Sequence, residues 1–79
     1  MLVQASRDVA QRAKQMYDIR LRPLLEAEHL HEFVAVEPDS GDYFLGRTLR
    51  EAIGASRARY PDRLVHTFRV GHATAVHLG

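Results

Sequence analysis

An α+β fold is predicted for this chain: an N-terminal helix followed by ββαββ, with a small, mostly antiparallel sheet beneath the helices. Three features predict it. A helical apolar period runs through residues 6–21, a Pro-Asp-Ser-Gly turn separates two short apolar runs between 33 and 45, and a capping box opens a second helix at Thr48. Seventy-nine residues make a single small domain. A chain of this size buries only about 60–65% of the surface its unfolded form exposes, so its core is modest.

The first helix is expected over 6–21. Val9, Ala13, Met16, Tyr17, Arg20 and Leu24 recur at the spacing of one helical face, flanked by Ala10 and Leu21. Ser6 is the expected N-cap, and Asp8 falls in the first turn, where the helix dipole favours negative charge. Pro23 lacks a backbone donor and disfavours helix at Arg22. Two outcomes are open there: a kink, or a second short helix that starts with Pro23 and covers 24–30.

Phe33-Val34-Ala35-Val36 reads as a strand that runs into Glu37-Pro38-Asp39-Ser40-Gly41-Asp42. In that turn Pro38 fixes φ, Asp39 can bond the backbone ahead and Gly41 can take a positive φ. Tyr43-Phe44-Leu45 returns as the second strand, with room in the long turn for a bulge. Thr48 and Glu51 form the capping box of a helix over 48–60 that Pro61 ends, with Leu49, Ala52, Ile53, Ser56 and Tyr60 on one face. Gly54 interrupts that helix at a cost of about 1 kcal/mol relative to alanine. From 63 to 70 the sequence alternates, Leu64, His66, Phe68 and Val70 against Val65, Thr67 and Arg69, and after Gly71-His72 a last strand is expected over 73–78. Its free edge would suit strand addition by a partner.

Charge is blocked along the chain. Residues 7–22 carry +3, residues 23–45 carry −6 with no Lys or Arg, and residues 46–79 carry +4. Such blocks either steer a complementary partner or neutralise one another across the fold. Two contact surfaces follow: an arginine face made by Arg47, Arg50, Arg57 and Arg59, and an acidic turn made by Glu37, Asp39 and Asp42. The arginine face offers phosphate contacts to a nucleic acid, with Tyr43, Phe44 and Phe68 as conceivable stacking platforms that a core this small needs for itself.

Catalysis finds little support. There is no cysteine, and Ser6, Ser40 and Ser56 read as cap, turn and helix face, outside any nucleophile-elbow pattern. Gly46-Arg47-Thr48 precedes a helix but lacks the glycine-rich phosphate loop, so no cofactor is expected. His29 and His31 share a face only if extended, where they would approach one metal ion; a zinc site needs further ligands, and His66, His72 and His77 lie far off in sequence. His66 reads as a core histidine. No apolar run reaches membrane-spanning length and no secretory apolar core opens the chain, so a cytoplasmic location is expected.

The segment Gly46-Arg47-Thr48-Leu49-Arg50-Glu51-Ala52, after an extended stretch with Pro38-Asp39, resembles the G-x-T-x-x-E-A signature of HicB-type antitoxins. The resemblance implies a partial double-stranded-RNA-binding-like α/β unit that inhibits a toxin partner. The chain departs from that family in its long first helix and in lacking a helix-turn-helix or ribbon–helix–helix segment after the unit, so self-repression at an operator is not implied. Over most of its length the chain is also similar to small bacterial α+β proteins of no assigned activity. That likeness rests on Leu21-Arg22-Pro23, Phe33-Val34-Ala35-Val36, Ser40-Gly41-Asp42-Tyr43, Ala58-Arg59-Tyr60-Pro61-Asp62 and Arg69-Val70-Gly71. Together these observations predict a non-enzymatic protein-interaction or antitoxin-like accessory module, a homodimer or the partner of a protein encoded nearby. Nucleic-acid binding is the alternative.

Overall fold

The computed structural model describes residues 2–72 and 75–76. A continuous helical stretch comes first: α1 (Leu2–Met16), a π-helical turn (Tyr17–Leu21) and α2 (Arg22–Glu28). Strands β1 (Phe33–Glu37) and β2 (Asp42–Gly46), helix α3 (Leu49–Arg59) and strand β3 (His66–Arg69) follow. The three strands form an antiparallel sheet in the order β2-β1-β3.

The N-terminal helix differs from expectation in two ways. It is already helical at Leu2, so Ser6 lies inside the helix and is no N-cap. It also neither breaks nor restarts cleanly at Pro23: Met16, Leu21 and Arg22 all keep right-handed helical backbone angles, and the Arg22 amide bonds back to the Tyr17 carbonyl, five residues earlier. The wider turn thus lies immediately before the proline, which cannot donate and whose ring would crowd the preceding turn. Pro23 then sits in the first turn of α2.

This π turn sets which residues enter the core. Ala13, Tyr17, Leu21 and Leu25 are buried, whereas Arg20 and Leu24 point to solvent, Leu24 being 56% exposed. At about 100° per residue a regular helix would carry Leu25 roughly 120° away from Ala13. The π turn winds the chain less per residue, so positions four apart stay in register across it. The expected face was therefore right up to Tyr17 and displaced by one residue beyond it.

The sheet separates two layers of helix. Val34 lies opposite Leu45 in β2 and Phe68 in β3, so these side chains share a face. With Val36 and Val70 they receive Ala13, Tyr17, Leu21 and Leu25, Met16 and Leu45 closing the margin, and Tyr17 stacks on Phe68 at 4.5 Å with rings 5° from parallel. The alternate residues Ala35, Phe44, Gly46 and Thr67 face the other way, toward α3. That helix approaches on small side chains: Ala35, Ala52 and Ser56 are buried, and a Cβ on Gly46 would stand 2.5 Å from the Ala52 amide nitrogen.

The hairpin register runs unbroken from Phe33 opposite Gly46 to Glu37 opposite Asp42, so the turn needs no bulge. Gly41 takes φ +81° and its amide closes the turn on the Glu37 carbonyl at 3.0 Å. The capping box forms with a small shift. Thr48 Oγ1 accepts from the Glu51 amide at 3.1 Å, while Glu51 Oε1 takes the amide of Arg47 at 3.0 Å, one residue before the cap. Pro61 ends α3 after Tyr60, as expected.

β3 is shorter than the alternating 63–70 stretch, and Leu64 is exposed. Beyond it only Ala75–Val76 pairs with Thr67 and Phe68; the rest of the strand expected over 73–78 lies outside the described residues. The order seen with full strands is accordingly ββαβ in place of ββαββ.

Candidate functional site

Within the acidic turn Glu37 is withdrawn from the surface, Asp42 is half-buried and Asp39 stays exposed. Glu37 is 0% exposed; its carboxylate accepts from the Asp39 and Ser40 amides at 2.6 and 3.1 Å and from the Arg63 guanidinium at 2.9 Å. Burial alone would raise its pKa, but these donors outweigh it and hold the carboxyl below the usual carboxylate range. Asp39 pairs with Arg12 at 2.7 Å, and Asp42 accepts from the Tyr60 hydroxyl at 2.5 Å. The three carboxylates tie the hairpin to α1, to the end of α3 and to the loop after it. Arg12–Asp39 and Glu37–Arg63 also join the charge blocks, so part of the blocking is neutralised internally.

The arginine face is different. Along the outer side of α3, Leu49, Arg50, Ile53, Gly54 and Arg57 line a shallow groove of about 460 Å³. Arg50 and Arg57 stand seven residues apart, two helical turns, on the same side. Among the described residues neither has a carboxylate partner, and the same holds for Arg47 and Arg59. The four arginines do not converge, however. Arg47 precedes the helix, and Arg59 turns to the Tyr60 ring, 5.0 Å from its centroid, as does Arg63. Only Arg50 and Arg57 border the groove.

Its apolar floor has a local cause. Periodicity places Leu49 and Ile53 on the inward face with Ala52 and Ser56, but only the two small residues are buried while Leu49 and Ile53 are half-buried. A helix that sits this close to the sheet cannot turn larger side chains fully beneath it. An added Cβ at Gly54 would find nothing within 4 Å, so the glycine serves no close packing inside the chain and leaves a notch between the two arginines.

The conceivable stacking platforms are occupied. Phe68 is buried under Tyr17, and Phe44 meets Tyr60 edge-on at 6.2 Å; Tyr43 alone is well exposed. His66 is half-buried with its ring edge-on to Phe68, at the margin of the core. Nor do His29 and His31 form a pair. His29 Nδ1 lies 3.1 Å from Glu32 Oε2, whereas His31 Nδ1 lies 3.2 Å from Nε2 of His72. The pattern that joins His31 to His72 is tertiary, and only the Gly71-His72 turn hints at it in the sequence. Among the described residues no group of three His, Asp or Glu is placed to hold a metal ion, and no helix is long and apolar enough to cross a membrane.

No family model matches the chain, and no curated protein or solved structure proves similar to it.

Proposed function

We propose that the protein is a non-enzymatic protein-interaction module, an antitoxin-like accessory, that binds an acidic, apolar-bearing segment of a partner protein along α3. One observation carries this reading: an apolar groove on α3 flanked by Arg50 and Arg57, two cations without carboxylate partners among the described residues. The floor of Leu49 and Ile53 suits side chains better than a phosphate backbone, and the flanking charges select acidic residues beside them. For a second copy of this chain the acidic turn offers mainly Asp39, since Glu37 is buried on Arg63 and Asp42 is held by the Tyr60 hydroxyl. The G-x-T-x-x-E-A resemblance, to a family whose members inhibit a protein partner, points the same way. In this chain the motif's Gly46, Thr48 and Glu51 are used for close packing and capping.

The test is co-purification with the products of neighbouring genes, followed by affinity measurement for wild type, Ile53→Asp and the Arg50→Glu/Arg57→Glu pair. Binding of one defined partner, weakened at least about tenfold by each variant, is expected. A partner whose affinity ignores both variants overturns the assignment of the groove. Light scattering that shows a stable dimer abolished by Ile53→Asp would replace the partner with a second copy.

Nucleic-acid binding is the second reading, favoured by Arg47, Arg50, Arg57 and Arg59 all belonging to one helix and its approach, with no ion pair among the described residues. Filter binding to RNA and duplex DNA separates the two. At about 50 mM salt a phosphate-directed surface gives binding that falls steeply as salt rises and weakens in the Arg50→Ala/Arg57→Ala pair. No binding under those conditions removes this reading.

A further inference from the structure

His31 and His72 are 41 positions apart and belong to neither the groove nor the acidic turn. Nδ1 of His31 stands 3.2 Å from Nε2 of His72, with the ring planes inclined at 67°. Both residues are exposed, yet the backbone that carries them is fixed. The His31 amide donates to the Val70 carbonyl and the Val70 amide to the Glu32 carbonyl, both at 2.8 Å. Arg69 Nε donates to the His31 carbonyl at 3.1 Å, and the His72 amide donates to the Arg69 carbonyl at 3.0 Å. The two rings therefore meet across an extension of the β1–β3 ladder. His31 also holds φ +73°, a left-handed conformation that glycine takes without strain and a side chain rarely adopts.

We propose that His31 and His72 form a two-imidazole site for a borderline divalent transition-metal ion, of the class of zinc, nickel or copper(II). Two nitrogens bound to one such ion at about 2.0–2.1 Å, at angles between roughly 90° and 109°, stand about 2.8–3.4 Å apart. The observed 3.2 Å falls within that span, so the nitrogens already stand at a ligating separation and the rings must turn to aim both lone pairs at the ion. In the metal-free pair one ring nitrogen donates a proton to the other. On binding, the donor ring carries its proton on its outer nitrogen and both facing lone pairs go to the ion. Water fills the remaining positions, since among the described residues no third ligand is in place. The ion clips the approach to β1 to the segment that leaves β3, joining the N-terminal and C-terminal parts of the sheet.

The test uses the 79-residue chain free of any tag, titrated with zinc or nickel by calorimetry and followed by thermal unfolding. One ion per chain is expected, with Tm raised by about 10 °C or more at a hundredfold excess over Kd. His72→Gln and His31→Asn are each expected to weaken binding by at least about the ten- to hundredfold that loss of a supporting partner alone causes. His31→Gly serves as the fold control, since it relieves the left-handed backbone while removing the ligand: it keeps the metal-free circular dichroism spectrum and loses the metal-dependent shift. His29→Gln, at the histidine that faces Glu32, binds as wild type. Absence of saturable binding to the wild type, or unchanged binding by His31→Gly and His72→Gln, overturns the site.

Discussion

Replacing Gly54 by alanine adds one methyl group to the groove and tests its description from two sides. Gly54 is exposed in the middle of α3, and a Cβ there would meet no heavy atom within 4 Å. The substitution therefore carries no packing penalty inside the chain, and the difference in helix propensity is left to act alone. Alanine is favoured over glycine in a helix interior by about 0.8–1.0 kcal/mol, in large part because it restricts the unfolded chain. For a domain of this size that corresponds to a rise in Tm of roughly 4–8 °C. Thermal and urea unfolding followed by far-UV circular dichroism measure it directly, at several protein concentrations to separate folding from association. The same methyl group fills the notch between Arg50 and Arg57, so affinity for a partner seated there falls while stability rises. An unchanged or lowered Tm would refute the geometry, since it would mean that something already occupies the space above Gly54. A stabilised protein with unaltered affinity would leave the helix description intact and remove Gly54 from the contact.

Three further predictions concern the scaffold that holds the groove. Thr48→Ala, which removes the side-chain acceptor of the Glu51 amide, is expected to cost about 1 kcal/mol in urea unfolding; no loss would mean that the shifted Glu51–Arg47 bond caps the helix alone. Glu37→Gln breaks a buried carboxylate away from Arg63 and two amides and is expected to cost about 1.5–3 kcal/mol at neutral pH. Because the folded pKa of Glu37 lies below its unfolded value, its contribution is fully present above the ordinary glutamate pKa of about 4.3 and is lost as pH falls through the folded pKa. The difference between wild type and Glu37→Gln should therefore shrink only on the acid side of that value, and a difference that shrinks at higher pH would contradict the assignment. Tyr17 is buried, and its hydroxyl, though near the Gly71 amide, has no hydrogen-bond partner of proper geometry among the described residues; burial pushes its pKa up. Tyr17→Phe is thus expected to leave stability unchanged or raise it by up to about 1 kcal/mol, and a loss above that would reveal a bond the hydroxyl makes.

The parts of the fold that could be read in advance depend on neighbours close in sequence. The turn at 38–41, the Thr48 cap, the stop at Pro61 and the short apolar run of β1 each involve residues within a few positions of one another. The errors arose where a local pattern met a distant constraint. The apolar period after Tyr17 was continued at 3.6 residues per turn, whereas the π turn before Pro23 exchanged Arg20 and Leu24 for Leu21 and Leu25 at the core. Glu37 looked like turn surface because nothing in 33–42 reveals that Arg63 reaches it from 26 positions away. Leu49 and Ile53 looked like core because their period is correct. Their half exposure comes from how near Gly46 and Ala35 let α3 approach the sheet.

By itself, then, the sequence determined the element types, most of their limits, and the presence of four arginines on or beside one helix. These follow from backbone preferences and side-chain periodicity, which act over a turn or two. Only the tertiary structure decided which charges stay free and which side chains meet. It drew Asp39, Asp42 and Glu37 into internal partnerships, left Arg50 and Arg57 without a carboxylate partner among the described residues, and brought His31 against His72. Pairing across a sheet and between layers depends on register and on the distance of closest approach, and those quantities exist only once the elements are packed.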